Sequence, residues 1–96
     1  MDRLTRFDVA EYAGTTMVVV ESDLLPPDHG VVVIPLLDGY PAVRHLNPEI
    51  RVGDRTLILA TRLIGAVRRS ALRRTSHVGE QGDRITRAVD VLMSGA

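Results

Sequence analysis

Two valine-rich runs dominate the first third of the chain. The runs from Thr16 to Glu21 and from Val31 to Ile34 are rich in β-branched residues and too short for stable helices, which predicts β-strands. The segment between them, Ser22 to Gly30, contains Pro26-Pro27-Asp28 and has the composition of a loop. Pro35 follows the second run and has no backbone N–H, so we expect strand pairing to stop there or to lie on a sheet edge.

A β-hairpin is predicted from Ile50 to Leu59, where two strand-like runs flank Gly53-Asp54. Glycine at the first position of a two-residue loop suits the primed turns that connect antiparallel strands. A further, half-buried strand is predicted from Phe7 to Glu11, because Phe7 and Val9 lie on one side and charged residues lie between them.

The end of the chain has the periodicity of one amphipathic helix, from Asp83 to Met93. Asp83 is the predicted N-cap, and Gly95 lies where a helix commonly ends. The apolar residues that define the helical face are Ile85, Val89, Leu92 and Met93, with Ala88 beside them.

Residues 66–80 have few apolar side chains and are predicted to form a solvated loop. Four arginines of this region and Arg62 nevertheless suggest an alternative, in which the chain binds phosphate or nucleic acid; the four are Arg68, Arg69, Arg73 and Arg74. Only Phe7, Tyr12 and Tyr40 are aromatic, so the chain has no interleaved platform on which bases would stack.

Together these elements predict one small, mostly β domain of the α+β class over residues 1–96. We expect a strongly twisted antiparallel sheet, or a partly open barrel, with the helix across it. Strand–helix–strand alternation is absent, which argues against a dinucleotide-binding fold. A homodimer is also expected, because the apolar runs Met17–Val20, Val31–Ile34 and Leu57–Ala60 exceed what one helix can cover.

The composition contains little that indicates enzymatic chemistry. Three widely spaced histidines and the absence of cysteine argue against a metal site or a disulfide framework. No Gly-x-Ser-x-Gly elbow or glycine-rich phosphate loop occurs, and Asp23 and Asp54 lie in turn contexts where aspartate bonds to the local backbone. We therefore expect no catalytic residue and no cofactor.

Charge and hydropathy also bear on partners and location. Twelve basic and twelve acidic residues give a formal net charge of zero, so the whole chain is not drawn to nucleic acid or anionic lipid. The longest apolar stretch, Val31 to Leu37, is far shorter than the roughly 20 residues of a membrane-spanning helix. The N-terminus lacks the apolar core of a secretory signal. We expect a cytoplasmic protein with no membrane partner.

Several segments, in their order and spacing, resemble the CcdB family of bacterial toxins. They are Val18 to Leu25, Val33 to Leu36, Leu46-Asn47-Pro48, Val52-Gly53-Asp54, Ala60-Thr61 and the terminal helix up to Gly95. The resemblance extends from Phe7 to Ala96. It implies an SH3-like fold shared with the MazF ribonucleases, with a twisted sheet, a small second sheet and a C-terminal helix, in a homodimer.

The resemblance implies that the chain is not an enzyme but the toxin of a type II toxin–antitoxin module. Toxins of this family bind the DNA-cleaving subunit of DNA gyrase and trap the complex that the enzyme forms with cleaved DNA. A CcdA-like antitoxin neutralises them, and the pair represses its own operon, with operator DNA contacted only through the antitoxin.

The resemblance also assigns binding residues. The positions that correspond to gyrase contacts are Phe7, Ser22, Leu24, Leu25, Asp90, Ser94, Gly95 and Ala96. Phe7 and the two leucines fit a core role equally well. An acidic antitoxin peptide is expected to meet Arg68 and Arg69, because exposed arginines steer the approach of negative charge.

The chain departs from the family at its C-terminus and in the first strand. The family has Trp-Gly-Ile where this chain has Ser94, Gly95 and Ala96, and a tyrosine where it has Ala10. A tryptophan buries about 200 Å², so its absence predicts weakened gyrase poisoning. Two alternatives stay open: a MazF-like endoribonuclease that uses the arginines, and an operon co-repressor without toxicity.

Overall fold

The computed structural model describes residues 3–95, which form a mostly β fold with one C-terminal helix, as predicted. The elements are β1 (Asp8–Tyr12), β2 (Thr15–Val19), β3 (Gly30–Leu37), β4 (Glu49–Val52), β5 (Arg55–Leu59), β6 (Gly65–Arg68), β7 (Arg73–His77) and α1 (Gly82–Ser94). The strands form one antiparallel sheet in the order β4-β5-β3-β2-β1-β7, with β6 also paired to β3. Within the described residues, no helix has the length and hydrophobicity needed to cross a bilayer.

The long strand β3 pairs with two different strands along one of its edges, because its partner changes halfway along. Gly30 to Val33 pair with β6, whereas Leu36 and Leu37 pair with β5. Pro35 lies at this change of partner, and its carbonyl accepts a bond from the N–H of Ala60 at 2.9 Å. Pro35, which has no N–H, therefore lies between the end of pairing with β6 and the start of pairing with β5. The prediction that pairing stops at Pro35 is wrong, because β2 pairs along its other edge.

The predicted hairpin is confirmed as β4 and β5, which meet at Gly53-Asp54. Gly53 has a φ of 61°, a left-handed conformation that a residue without a Cβ adopts at little cost. This hairpin is the expected small second sheet, although pairing between β5 and β3 makes it continuous with the rest.

The solvated loop predicted for residues 66–80 is wrong. Most of this segment forms the two strands β6 and β7, separated by a 3₁₀ turn at Arg69–Ala71. All five residues of β7 lie at the surface or only partly covered, so the strand carries no alternating apolar pattern. Backbone pairing to β1 holds it in place instead.

Strand β1 was predicted to be half-buried, but its first three residues are buried, so both of its faces are covered there. Its two edges pair with β2 and β7. Asp8 is 2% exposed, and Val9 and Ala10 are fully buried. Phe7 precedes the strand, has a φ of 71° and packs against the same apolar cluster as Val9.

Apolar side chains cover both faces of the sheet. On one face, α1 contributes Ile85 and Ala88 to the main cluster, whose strand residues include Val9, Val18, Ile34, Leu36, Ile50, Leu57 and Leu59. On the other face lies a second cluster of Met17, Val19, Val31 and Val33, against which Leu4, Val67 and Leu72 pack. The three apolar runs that motivated a homodimer are thus largely buried within a single chain, and they do not provide the surface for one.

Helix α1 begins one residue earlier and ends one residue later than predicted. Asp83 lies in its first turn and is not the cap; Gln81 holds that position without a side-chain capping bond. Gly95 ends the helix as expected, with a φ of 76° and an N–H that donates to the Val91 carbonyl at 2.7 Å. Met93, expected on the apolar face, is 77% exposed.

Candidate protein-binding surface

The loop after β2 presents two leucines to solvent. Leu24 is 94% exposed and Leu25 is 52% exposed. The loop turns because the Ser22 hydroxyl accepts the N–H of Leu24 at 3.1 Å and the Ser22 carbonyl accepts the N–H of Leu25 at 3.2 Å. A pair of large apolar side chains held out by an ordered turn is a common feature of protein-binding surfaces.

Arg6 connects this loop to the helix. Its backbone N–H donates to Asp23 Oδ1 at 2.8 Å, and its Nη2 donates to the Thr86 hydroxyl at 3.1 Å. The guanidinium carbon lies 4.8 Å from the centre of the Phe7 ring, a favourable cation–π distance. Arg6 was not singled out from the sequence, because its partners lie 17 and 80 residues away.

The helix continues the same surface through residues spaced four apart, which lie on one face. Thr86 is followed by Asp90 and then by Ser94, whose hydroxyl donates to the Asp90 carbonyl at 2.6 Å. Asp90 and Ser94 are exposed. We call Ser22, Asp23, Leu24, Leu25, Thr86, Asp90 and Ser94 the loop–helix surface.

Three predicted gyrase-binding positions are not part of the loop–helix surface: Phe7, Gly95 and Ala96. Phe7 is half-buried, packs on the main cluster and lies against the start of α1, where a Cβ on Gly82 would come within 2.6 Å of its ring. Phe7 therefore supports the surface from beneath. Gly95 terminates the helix, and Ala96 lies outside the described residues.

This chain matches a known protein family. A family model described as CcdB protein matches residues 6–95, which is nearly the whole chain. The chain belongs to the CcdB family. A search of curated proteins finds no significant match. Membership supports a toxin of a toxin–antitoxin system, in a family that acts through contacts with proteins.

The two arginines assigned to antitoxin binding in this CcdB-family chain differ in their surroundings. Arg68 is exposed at the end of β6. Arg69 is tied to the loop before β3, because its guanidinium lies 3.5 Å from Glu21 and donates to the Asp28 carbonyl at 2.9 Å. Its backbone N–H also donates to the His29 carbonyl at 2.7 Å. Arg69 therefore holds this loop in place and is not a freely exposed charge.

A buried carboxylate forms a second polar centre at the start of β1. Asp8 accepts the N–H of Thr5 at 2.8 Å, lies 2.8 Å from His77 Nδ1 and lies 3.6 Å from the Arg74 guanidinium. Burial raises the pKa of Asp8, but the bonds from Thr5 and His77 and the charge of Arg74 outweigh it, so the pKa lies below its ordinary value of 3.8. These contacts fix β7 to β1 and to the N-terminal segment.

The structure also shows where the residues considered for metal binding, catalysis and RNA binding lie in this CcdB-family fold. Within residues 3–95, no group of three or more potential ligands is arranged to hold a metal ion. Asp23 accepts the N–H of Arg6, in keeping with a backbone-bonding role. Of the five arginines considered for RNA binding, four surround one depression, whereas Arg62 lies elsewhere, in a 3₁₀ turn.

Proposed function

We propose that this chain is a toxin that acts by seating its loop–helix surface on a protein target. The observation that carries the proposal is the Arg6 connection, which links the loop that carries the exposed leucines to Thr86 on the polar face of α1. An apolar protrusion beside hydrogen-bonding groups has the layout of an interface, with an apolar centre and a polar rim. Family membership supports the same class of action.

The target that the family suggests is DNA gyrase, at its DNA-cleaving subunit. Leu24 and Leu25 provide apolar anchors, and Ser22, Asp90 and Ser94 provide polar contacts around them. Because Ser94 replaces the family's terminal tryptophan, this surface lacks an aromatic anchor at the end of α1, and poisoning is weaker than in family members that have it.

Neutralisation by a CcdA-like antitoxin and joint repression of the operon complete the proposed function. The chain has a net charge of zero, which supports operator contact through the antitoxin and not through the toxin itself. We expect a homodimer in solution, with an interface drawn from exposed apolar residues such as Val43 and Met93. Light scattering at micromolar concentration should give about twice the monomer mass, and a monomer mass would contradict this assembly.

The decisive experiment is expression in a gyrase-sensitive bacterial host. Weak growth arrest and a low yield of gyrase–DNA cleavage complexes are expected for the parent chain, because the terminal tryptophan is absent. Leu24→Asp with Leu25→Asp should reduce both effects, because two charged side chains would then face the target. Leu63→Asp is a matched control, since Leu63 is 52% exposed, like Leu25, but lies outside the loop–helix surface.

Two results would replace the proposal with one of its alternatives. Sequence-specific cutting of long single-stranded RNA by the purified protein would indicate an endoribonuclease. A chain that arrests no growth but represses its operon together with an antitoxin would be a non-toxic co-repressor.

A further inference from the structure

A basic depression lies next to strands β6 and β7 and shares no residue with the loop–helix surface. Its volume is about 520 Å³, which is within the range of pockets that hold small molecules. Leu4 and Leu72 line it and also pack against the second apolar cluster, so part of its lining is apolar. Four arginines line it as well: Arg68, Arg69, Arg73 and Arg74.

Two of these arginines, Arg69 and Arg74, are already held by carboxylates of the chain. The Arg69 guanidinium lies 3.5 Å from Glu21, and the Arg74 guanidinium lies 3.6 Å from the buried Asp8. Arg69 also donates to the carbonyl of Asp28 at 2.9 Å. These two side chains therefore serve the fold, and their charges are largely offset.

Arg68 and Arg73 carry charges that no ion pair offsets. Arg68 ends β6 and Arg73 begins β7, and both are exposed. Among residues 3–95, neither side chain has an ion-pair or hydrogen-bond partner. Asp28 is the one acidic residue of the lining, so the depression has a net positive charge that suits an anion.

The polar part of the lining favours a phosphate group over a carboxylate. Guanidinium groups pair with phosphate oxygens through bidentate hydrogen bonds. Because Arg68 and Arg73 come from two different strands, they approach one anion from two directions, which suits the tetrahedral oxygens of a phosphate. A phosphate monoester carries a charge of about −1.5 to −2 at pH 7, which matches two arginines. The hydroxyl of Ser70 lies on the same lining and adds a donor.

The apolar part of the lining indicates what the phosphate is attached to. The side chains of Leu4 and Leu72 offer an aliphatic surface beside the arginines. No aromatic side chain lines the depression, so nucleotide bases would have nothing to stack on. An aliphatic body therefore fits the lining better than a nucleic acid does.

We propose that this depression binds a small aliphatic phosphate monoester, with Arg68 and Arg73 pairing the phosphate and with Leu4 and Leu72 contacting the aliphatic body. The inference goes beyond the proposed function and does not depend on it, because the site and the loop–helix surface share no residue. The ligand is a small molecule, so this site differs in kind from the antitoxin contact expected at Arg68.

The probe is n-butyl phosphate, titrated into the full, ¹⁵N-labelled chain near neutral pH at constant ionic strength. Shifts of the backbone amide NMR signals of residues 68–74 should give both the location of binding and the dissociation constant. Replacing Arg68 and Arg73 together by glutamine should weaken binding about tenfold or more, because two charge-assisted contacts are lost. The same spectra report whether the variant is folded.

A matched control removes the same charge elsewhere. Arg51→Gln with Arg55→Gln changes two exposed positions of the β4–β5 hairpin and should leave the dissociation constant unchanged within about twofold, because distant exposed charges are screened. Asp28→Asn removes the acidic side chain of the lining and should tighten binding about two- to threefold.

Two further compounds test the two halves of the ligand. Pentanoate, which has a carboxylate on a chain of similar length, should bind about tenfold more weakly than butyl phosphate, because it carries less charge and fewer acceptor oxygens. Inorganic phosphate should bind about threefold more weakly or worse, because it has no aliphatic body to contact the leucines.

Several results would overturn the proposal. Shifts confined to other parts of the chain, equal dissociation constants for the parent and the Arg68/Arg73 variant, or an equal loss in the hairpin control would each do so. Equal binding of pentanoate would indicate a carboxylate site of the kind that a peptide uses. Equal binding of inorganic phosphate would contradict the role of the leucines. Tighter binding of a short DNA duplex at residues 68–74, at equal phosphate concentration, would replace the small ligand by nucleic acid.

Discussion

The side-chain amide of Gln81 bonds to both main-chain polar groups of Arg51, at 2.8 Å in each direction. Arg51 lies on β4, which pairs with β5 along only one edge. Arg84 adds a bond to the Glu49 carbonyl at 3.1 Å, two residues along the same strand. Side chains at the start of α1 thus satisfy the outer edge of β4, where unpaired backbone groups invite pairing with other chains.

Replacing Gln81 by alanine should lower the free energy of unfolding by about 1 kcal/mol, because both bonds are lost but water can reach the edge. Gln81→Glu is the matched variant, since its carboxylate still accepts the N–H of Arg51 but cannot donate to the carbonyl. The free energy of unfolding, measured in urea, should be highest for the parent, lower for Gln81→Glu and lowest for Gln81→Ala. Equal stability of all three proteins would show that the edge is held by other contacts.

Local sequence patterns predict some elements of this fold and miss others. The β4–β5 hairpin was predicted because Gly53 marks a turn locally and the runs on either side of it are strand-like. Strand β7 was missed because every residue of it is exposed or only partly covered, so its sequence carries no signal of burial. The passage of β3 through Pro35 depends on a change of partner strand, which no local pattern encodes.

Acid should destabilise the protein through Asp8. The pKa of this carboxyl is lowered in the folded state from 3.8, so the folded protein binds fewer protons there than the unfolded chain does. Its contribution to stability is present above pH 3.8 and is lost as the pH falls through 3.8 toward the lower folded-state pKa. The free energy of unfolding, measured by urea titration at successive pH values, should fall in that acidic range.

Asp8→Asn removes the titrating group and keeps an oxygen that accepts the N–H of Thr5. We expect it to be less stable near neutral pH by about 1 to 3 kcal/mol and to lose part of the acid-dependent slope. Asp54→Asn, in the exposed hairpin turn, serves as the control. A slope that is unchanged in Asp8→Asn would place the acid sensitivity elsewhere.

Gly82 is required by the close approach of Phe7. Alanine in a helix normally gains up to about 1 kcal/mol over glycine, but here the new Cβ would lie 2.6 Å from a ring carbon of Phe7. The ring is packed on the core, so Gly82→Ala should destabilise the protein by about 1 to 3 kcal/mol. Gly65→Ala is the control, because its Cβ would meet nothing closer than 3.9 Å. Thermal unfolding that finds Gly82→Ala as stable as the parent would mean that the ring moves freely.

The sequence predicted only part of the candidate site, because some of its residues come together only in the folded chain. Ser22, Leu24, Leu25 and Asp90 entered through resemblance, which aligns residues one by one. Arg6 could not be predicted from the sequence, because its role depends on bonds to Asp23 and Thr86 that form only in the folded chain. The role of Arg69 likewise follows from its contacts with Glu21 and Asp28, which form only in the folded chain.

The end of α1 is where the chain departs most from its family. Ser94 is exposed and continues the stripe of Thr86 and Asp90, so a tryptophan there would extend the loop–helix surface with a large apolar side chain. Burying about 200 Å² of it against a partner is worth up to about 5 kcal/mol before entropy losses. Ser94→Trp with Ala96→Ile should therefore increase both growth arrest and the yield of gyrase–DNA cleavage complexes.

Ser94→Ala with Ala96→Ile is the matched control for that variant, because it removes the hydroxyl bond to the Asp90 carbonyl without adding an aromatic ring. It should give no increase. Strong poisoning by the parent chain would contradict the prediction and would mean that the terminal aromatic is dispensable here. The affinity would then have to come from Ser22, Leu24, Leu25 and Asp90, and alanine substitution at Leu24 should cost more than any change at the terminus.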